Sequence, residues 1–345
     1  MTGLRVLRAG PACTVQDRGR PGYLDRGLSR GGAADRLALA EGAALLGQDP
    51  GCAALEMAGI GGVFEAEGDL RIALTGAPMA AEIDGTRIAW NASHPLYAGQ
   101  RLSLGAVRAG CYGYLHLGGG LDTPVRLGAR AAHLAAGLGR LVAAGDLLPA
   151  GADPGGRTGM RLGVGDRFAG GAVRIVAGFQ TPMFAADVLV RFEATVFRRG
   201  ARANRMGVAV ESAGEGFAAA GQRTILSEII VPGDIQMTGD GRPFVLLPEC
   251  QTTGGYPRIG TVIPCDLPQV AQAPAGAPLR FAFVTRAEAL AAEARHAAHL
   301  AGLRSAIRPL LRDPRDIPDL LGYQLISGAI SAHHDHHDPQ EEDNA

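Results

Sequence analysis

The residues best suited to chemistry gather between Ser227 and Asp266. Two apolar runs, Phe244 to Leu247 and Ile259 to Ile263, read as strands that bracket the polar loop Gln251-Thr252-Thr253-Gly254-Gly255-Tyr256-Pro257-Arg258. The loop brings together an amide, two hydroxyls, a phenol and a guanidinium. Such a set can hydrogen-bond an amide or a phosphate and clamp an anion. Gly254 and Gly255 are expected to take positive φ and let the backbone approach a ligand, and Pro257 to fix φ before the second strand. Strand alternation puts Arg258 and Gly260 on one face, so Gly260 is expected to leave room beside the guanidinium. A polar loop on a rigid strand pair commonly carries function; the same residues would also make an ordinary solvated Gly-Pro turn.

What must position this loop follows from length and composition. A chain of 345 residues is long enough for two domains with their own cores. All 33 basic residues are arginine, a bias that a GC-rich genome also produces. With no lysine the chain holds no biotinyl-lysine, P-loop lysine, Schiff-base lysine or Ser-Lys pair. A net charge of -1 gives no electrostatic footprint for nucleic acid or an anionic membrane. The five cysteines are scattered without CxxC spacing, which favours free thiols in a reducing compartment. The N-terminal stretch lacks an apolar signal core, and no run reaches the length of a membrane span. A soluble, cytoplasmic protein is expected.

Taken in order, residues 33–46 are rich in Ala and Leu and predict a helix stopped by Gly47 and Asp49-Pro50, with Asp35 capping or complementing its first turn. From Leu55 to Leu148 short alternating runs predict strands, with a type I′ hairpin at Asp84-Gly85. Tyr112, Tyr114 and His116 share a strand face, His116 either toward a ligand or packed. The Gly-rich stretch 151–172 reads as a linker. A second β-rich unit spans 173–300, with helices expected from Thr181-Pro182, from Asp266 with Pro268, and from the capping-box pair Thr285 and Glu288. Residues 301–345 form a C-terminal extension, whose His333, His334, His336 and His337 with Asp335 and Asp338 suit either a divalent metal or a polar disordered tail. Ala-Gly recurs before an apolar segment at Ala98, Ala144 and Ala275, a faint echo of duplication.

QTTGGYPRI, with SEIIVPGDIQ and DGRPFVLL before it, resembles the signature of the KipA-like family. That family includes the C component of 5-oxoprolinase, the second subunit of allophanate hydrolase and biotin-dependent carboxyltransferase domains. The match continues in Thr14 to Tyr23, Gly32 to Asp35, Ala54 to Glu56, Leu74 to Ala77, Gly118 to Asp122 and Asn204 to Gly207. The resemblance implies a mainly β fold of two linked cyclophilin-like β-barrel units, residues 1–150 and 173–300. It implies a subunit of an ATP-dependent 5-oxoprolinase that opens 5-oxoproline to glutamate with KipI-like and LamB/YcsF-like subunits. ATP and Mg²⁺ would be shared with a partner. On this reading Arg258 and Arg205 would clamp an anion. Gln251, Thr252, Thr253, Tyr256 and Asn204 would bind the small amide or lactam or the nucleotide, and Glu228 or Asp35 would hold Mg²⁺ or act as base. Two other family functions stay open: a carboxyltransferase of urea-carboxylase type, its biotin on a separate carrier, and a KipA-like protein that binds a kinase inhibitor.

Overall fold

The computed structural model describes residues 2–219 and 225–311; the apolar segment near residue 320 and the His/Asp-rich tail lie outside them. Over the described residues the chain is mainly β, with four α-helices and two β units. In the N-terminal unit a six-stranded sheet contains Gly3–Ala9, Gly62–Ala66 and Arg101–Val107 at its centre. A second sheet is centred on Ala54–Ala58, Tyr112–Leu117 and Leu70–Gly76. Alternating apolar residues from both, among them Phe64, Ile72, Leu74, Leu102, Leu104 and Leu115, meet in one core. The C-terminal unit closes completely, as a barrel of seven strands from Gly171–Val176 to Pro278–Phe283. Closure removes the exposed edges of its sheet. Phe192, Phe197, Phe217 and Phe281 pack together in its core, with the contacting ring centroids 5.0–5.5 Å apart.

Local chemistry explains most boundaries. Helix α1 (Arg36–Leu46) begins three residues later than composition suggests. Asp35 is its N-cap, in extended conformation, and its carboxylate accepts the Ala38 N–H. Gly47 ends the helix in the left-handed region. The segment after Gln180 departs further from expectation. Thr181–Met183 forms only a 3-10 turn, and helix α2 (Ala186–Ala194) starts after an extended break. The Thr181 hydroxyl donates to the Ile259 carbonyl at 2.8 Å, tying the turn to the barrel instead of capping a helix. Helices α3 (Leu267–Gln272) and α4 (Arg286–Gly302) lie where predicted, α4 with its full capping box. Asp84 and Gly85 both have positive φ, as a type I′ hairpin requires. The Ala-Gly echo is a turn device: Gly99, Gly145 and Gly276 are left-handed, and a strand starts two residues after each.

Residues 151–172 do more than connect the units. Met160–Arg161 pairs with the N-terminal sheet and with Arg308–Pro309, so the chain beyond α4 returns to the first unit. Arg167 is buried against α1. Among the described residues no helix is long and apolar enough to cross a membrane.

Candidate functional site

The QTTGGYPR loop is a short ribbon on the barrel rim. Thr253–Gly254 pairs antiparallel with Glu228–Ile229, and the Ile230 N–H donates to the Thr252 carbonyl at 3.0 Å. Neither Gly254 nor Gly255 has positive φ, contrary to the sequence expectation. Close neighbours make glycine the easy fit there. A Cβ on Gly254 would lie 2.5 Å from the Gln236 amide nitrogen, and one on Gly255 would lie 3.1 Å from the Ile225 carbonyl oxygen. Gly260 likewise makes no room for a ligand. Its α-carbon faces the barrel wall, where a Cβ would meet the Val176 carbonyl oxygen at 3.0 Å and the Phe283 ring at 3.2 Å.

Arg258 opens the barrel strand beneath the ribbon, and the protein itself occupies most of its fork. Nη1 donates to the Ile229 carbonyl at 2.7 Å and to Asp234 at 3.2 Å. Nη2 donates to Glu228 at 2.6 Å, and Nε to the Gln180 side-chain oxygen at 3.2 Å. The Gln180 amide also donates to Glu228 at 2.6 Å. Arg258 therefore pins the ribbon to the barrel, and Glu228 is neutralised by that same guanidinium. Both contacts fall on Oε2, which leaves Oε1 of this half-exposed carboxylate open to solvent.

The rest of the loop opens on a hollow of about 660 Å³. Gln251, Tyr256 and Asn204 line it, so three of the residues expected to bind a ligand do meet there. Gln236, Phe244 and Cys250 line it too, and sequence reasoning does not single them out. Gln236 is the informative one: it is buried on the barrel wall, and its Nε2 has no hydrogen-bond partner. A buried amide donor without an acceptor costs about 1–3 kcal/mol, which a ligand carbonyl would relieve. Its one sequence signal is its position, a polar residue between Ile235 and Met237 in a barrel strand. Thr252 and Thr253 shape the ribbon without lining this hollow.

Asp35 and Arg205 belong elsewhere, in the seam between the two units. Asp35 is fully buried and receives Arg167 Nε at 2.7 Å and the Gln272 amide at 2.8 Å. Arg167 also forks onto Glu41 at 2.7 and 2.9 Å. Burial pushes the Glu41 carboxyl up to about 7 against the pull of Arg167. Arg205 bridges Glu249 at 2.5 Å, Glu56 and the Gly32 carbonyl. Glu56 in turn accepts the Tyr114 hydroxyl at 2.6 Å. Both expected site residues are thus structural ties: Asp35 has no free oxygen for a metal, and Arg205 faces protein carboxylates. Their partners stand too far away in sequence to be foreseen.

The stretch Gly27-Leu28-Ser29-Arg30-Gly31 has the GxSxG spacing of a nucleophile elbow. Ser29 Oγ lies 2.8 Å from His133 Nε2, and His133 Nδ1 lies 3.9 Å from Glu249. The trio is packed, however, with Ser29 only 3% exposed. Glu249 is already taken by Arg205 and by the Leu134 N–H, and no strand-turn-helix presents the serine. It is a buried polar contact and not an accessible nucleophile. His116 is packed as well. It is 2% exposed, bonded to Thr75 at 2.8 Å, with Gly42 of α1 directly over its ring.

A family model described as carboxyltransferase domain, subdomain A and B, matches residues 26–283. The C component of the 5-oxoprolinase of Escherichia coli (strain K12) is 35% identical over 294 residues, which span 84% of this chain and 94% of that protein. The protein of the same name from Haemophilus influenzae is 29% identical, over 82% of this chain and 92% of its own length. The crystal structure of Kluyveromyces lactis urea carboxylase superposes with a TM-score of 0.77 at 21% identity. It covers 90% of this chain and 31% of that enzyme, and speaks to the fold alone. With three quarters of its length matched by the model, the chain belongs to the family of the carboxyltransferase domain, subdomains A and B.

Proposed function

We propose that this chain is the C component of an ATP-dependent 5-oxoprolinase that opens 5-oxoproline to glutamate only together with KipI-like and LamB/YcsF-like subunits. The observation that carries the reading is its 35% identity to the C component of a 5-oxoprolinase along 94% of that protein. The rim hollow supports it chemically. Gln251, Tyr256, Asn204 and the Gln236 side chain make a hydrogen-bonding surface for a lactam, and Arg202, which also lines the hollow, suits the carboxylate of 5-oxoproline. Gln236 Nε2 is covered beneath Gly254; turned toward the hollow, it would donate to the lactam carbonyl, and the Tyr256 phenol and Gln251 amide would orient the ring. ATP would supply activation of the amide oxygen, a step of positioning and charge stabilisation. Asp35 does not fit Mg²⁺, because both its oxygens are taken by Ala38, Arg167 and Gln272; Glu228 keeps Oε1 free and could hold the ion together with a partner subunit.

The three subunits, purified separately and mixed, are expected to form glutamate and release phosphate only when all are present. Turnover of 5-oxoproline by this chain alone would overturn the proposal. Gln236→Leu in the complex should raise KM for 5-oxoproline about tenfold, the weight of one hydrogen bond.

A further inference from the structure

A second cavity lies in the cleft between the Arg18–Arg30 loop, α1 and α4, with a volume of about 630 Å³. That is within the roughly 300–1,000 Å³ common for small-molecule sites. Its polar wall is unusual. Arg18, Arg30 and Arg36 line it, and none of the three has a salt-bridge partner among the described residues. Two of the guanidinium groups are anchored on one oxygen: Arg30 Nε donates to the Arg18 carbonyl at 3.0 Å and Arg36 Nη2 to the same carbonyl at 3.1 Å. The like charges are thereby held side by side. Partial burial, with Arg30 and Arg18 adding repulsion, brings the Arg36 guanidinium down to about 10, still fully charged near neutrality.

The cluster is built rigidly. The Arg20 N–H donates to the Arg30 carbonyl and the Ala33 N–H to the Asp17 carbonyl, which locks the two loops together. Gly19 and Gly32 make this possible: both have positive φ, and a Cβ on either would lie within 2.6 Å of the other loop's backbone. Asp17, the adjacent carboxylate, is turned away to accept the Gly19 and Arg130 N–H groups. Across the cleft, Glu293 of α4 accepts the Cys265 N–H at 2.8 Å, and His296 stands one turn on. Much of the remaining wall is apolar, with Tyr23, Leu267, Leu300 and several prolines.

We propose that this cleft is a nucleoside oligophosphate site, with Arg18, Arg30 and Arg36 taking the phosphates and the Tyr23, Leu267 and Leu300 wall taking the base. Three exposed guanidinium groups without carboxylate partners among the described residues, gathered at one cleft, suit a polyanion, since guanidinium pairs bidentately with phosphate oxygens. The apolar wall beside them suits a base. The site rests on the 5-oxoprolinase reading for its identification with ATP. It also explains how a chain without lysine can hold phosphates.

Isothermal titration of the full chain with ATP tests it, alongside inorganic tripolyphosphate and a hexaglutamate peptide. Wild type should bind ATP more tightly than tripolyphosphate and hexaglutamate. The Arg30→Gln/Arg36→Gln double variant should bind ATP at least tenfold more weakly, with an unchanged or raised Tm because repulsion is relieved. Arg36→Lys keeps the charge without the fork; it should also bind more weakly, and it serves if the double variant does not fold. Arg87→Gln, an exposed hairpin arginine, should bind as wild type does. No ATP binding at millimolar concentration, or equal binding by the variants, would overturn the site. Tripolyphosphate binding as tightly as ATP would overturn the base pocket, and tighter hexaglutamate binding would make the cleft a docking surface for an acidic peptide. A complex inactive on 5-oxoproline in which this chain still binds ATP through these arginines would remove the proposed function and leave the site. An active complex with unchanged ATP dependence in the double variant would do the reverse.

Discussion

The seam between the units and the cleft beside it use the same residue in opposite ways. In the seam Arg167 and Arg205 are sunk among Asp35, Glu41, Glu56 and Glu249, each cation facing two carboxylates. In the cleft Arg18, Arg30 and Arg36 face one another and no carboxylate partner among the described residues. A buried charge is tolerated only when paired and hydrogen-bonded. The seam therefore reads as architecture, whereas Arg18, Arg30 and Arg36 are exposed and are stabilised by water, so the case for a ligand there rests on three like charges gathered at one cleft. Arg258 on the rim is intermediate: it is paired, yet only to hold up the loop that frames the hollow.

Substitutions put this contrast to the test. The largest effect is expected at the seam, where Arg205→Met leaves Glu56 and Glu249 buried without a cation. It should cost about 3–5 kcal/mol in denaturant unfolding; a loss under about 1 kcal/mol, the weight of an exposed pair, would mean that the seam does not hold the units together.

The His116 site tests burial by pH. Burial lowers its pKa from 6.5 to about 3, so the folded ring stays neutral while the unfolded one takes a proton. Stability from this group is present above pH 6.5 and is lost as pH falls toward 3, at about 1.4 kcal/mol per unit. His116→Gln should flatten the fall in unfolding free energy between about pH 6 and 4 by that slope; parallel curves would place the ring in solvent.

A smaller effect is expected at Arg258. Arg258→Lys keeps the charge but not the fork, and should lower stability by about 1–2 kcal/mol. It should weaken the activity of the reconstituted complex in step, because the ribbon is released. A variant as stable and active as wild type would remove Arg258 from the account. The smallest effect belongs to the exposed pair of Arg101 and Glu65, 2.9 Å apart on the first sheet. Arg101→Gln should shift thermal unfolding by the equivalent of no more than about 0.5 kcal/mol, against which the seam variant can be judged.

Much of the molecule is legible from residues a few places apart. Period-two alternation marks the strands, Asp84-Gly85 the hairpin, and Thr285 with Glu288 the start of α4, because these signals act within a turn or two of chain. The rim loop and three residues of its hollow are legible in the same way. What each charged side chain does is settled only by the packed fold. Asp35 meets Arg167 and Gln272 across 132 and 237 residues, and Arg205 meets Glu56 across 149. Nothing local announces those pairings. Glycine misleads for the same reason: Gly254, Gly255 and Gly260 do not have positive φ, and each stands close to atoms distant in sequence. The role of an arginine in this lysine-free chain is set by whether folding brings a carboxylate to it, and pairing across the fold is information that neither composition nor spacing contains.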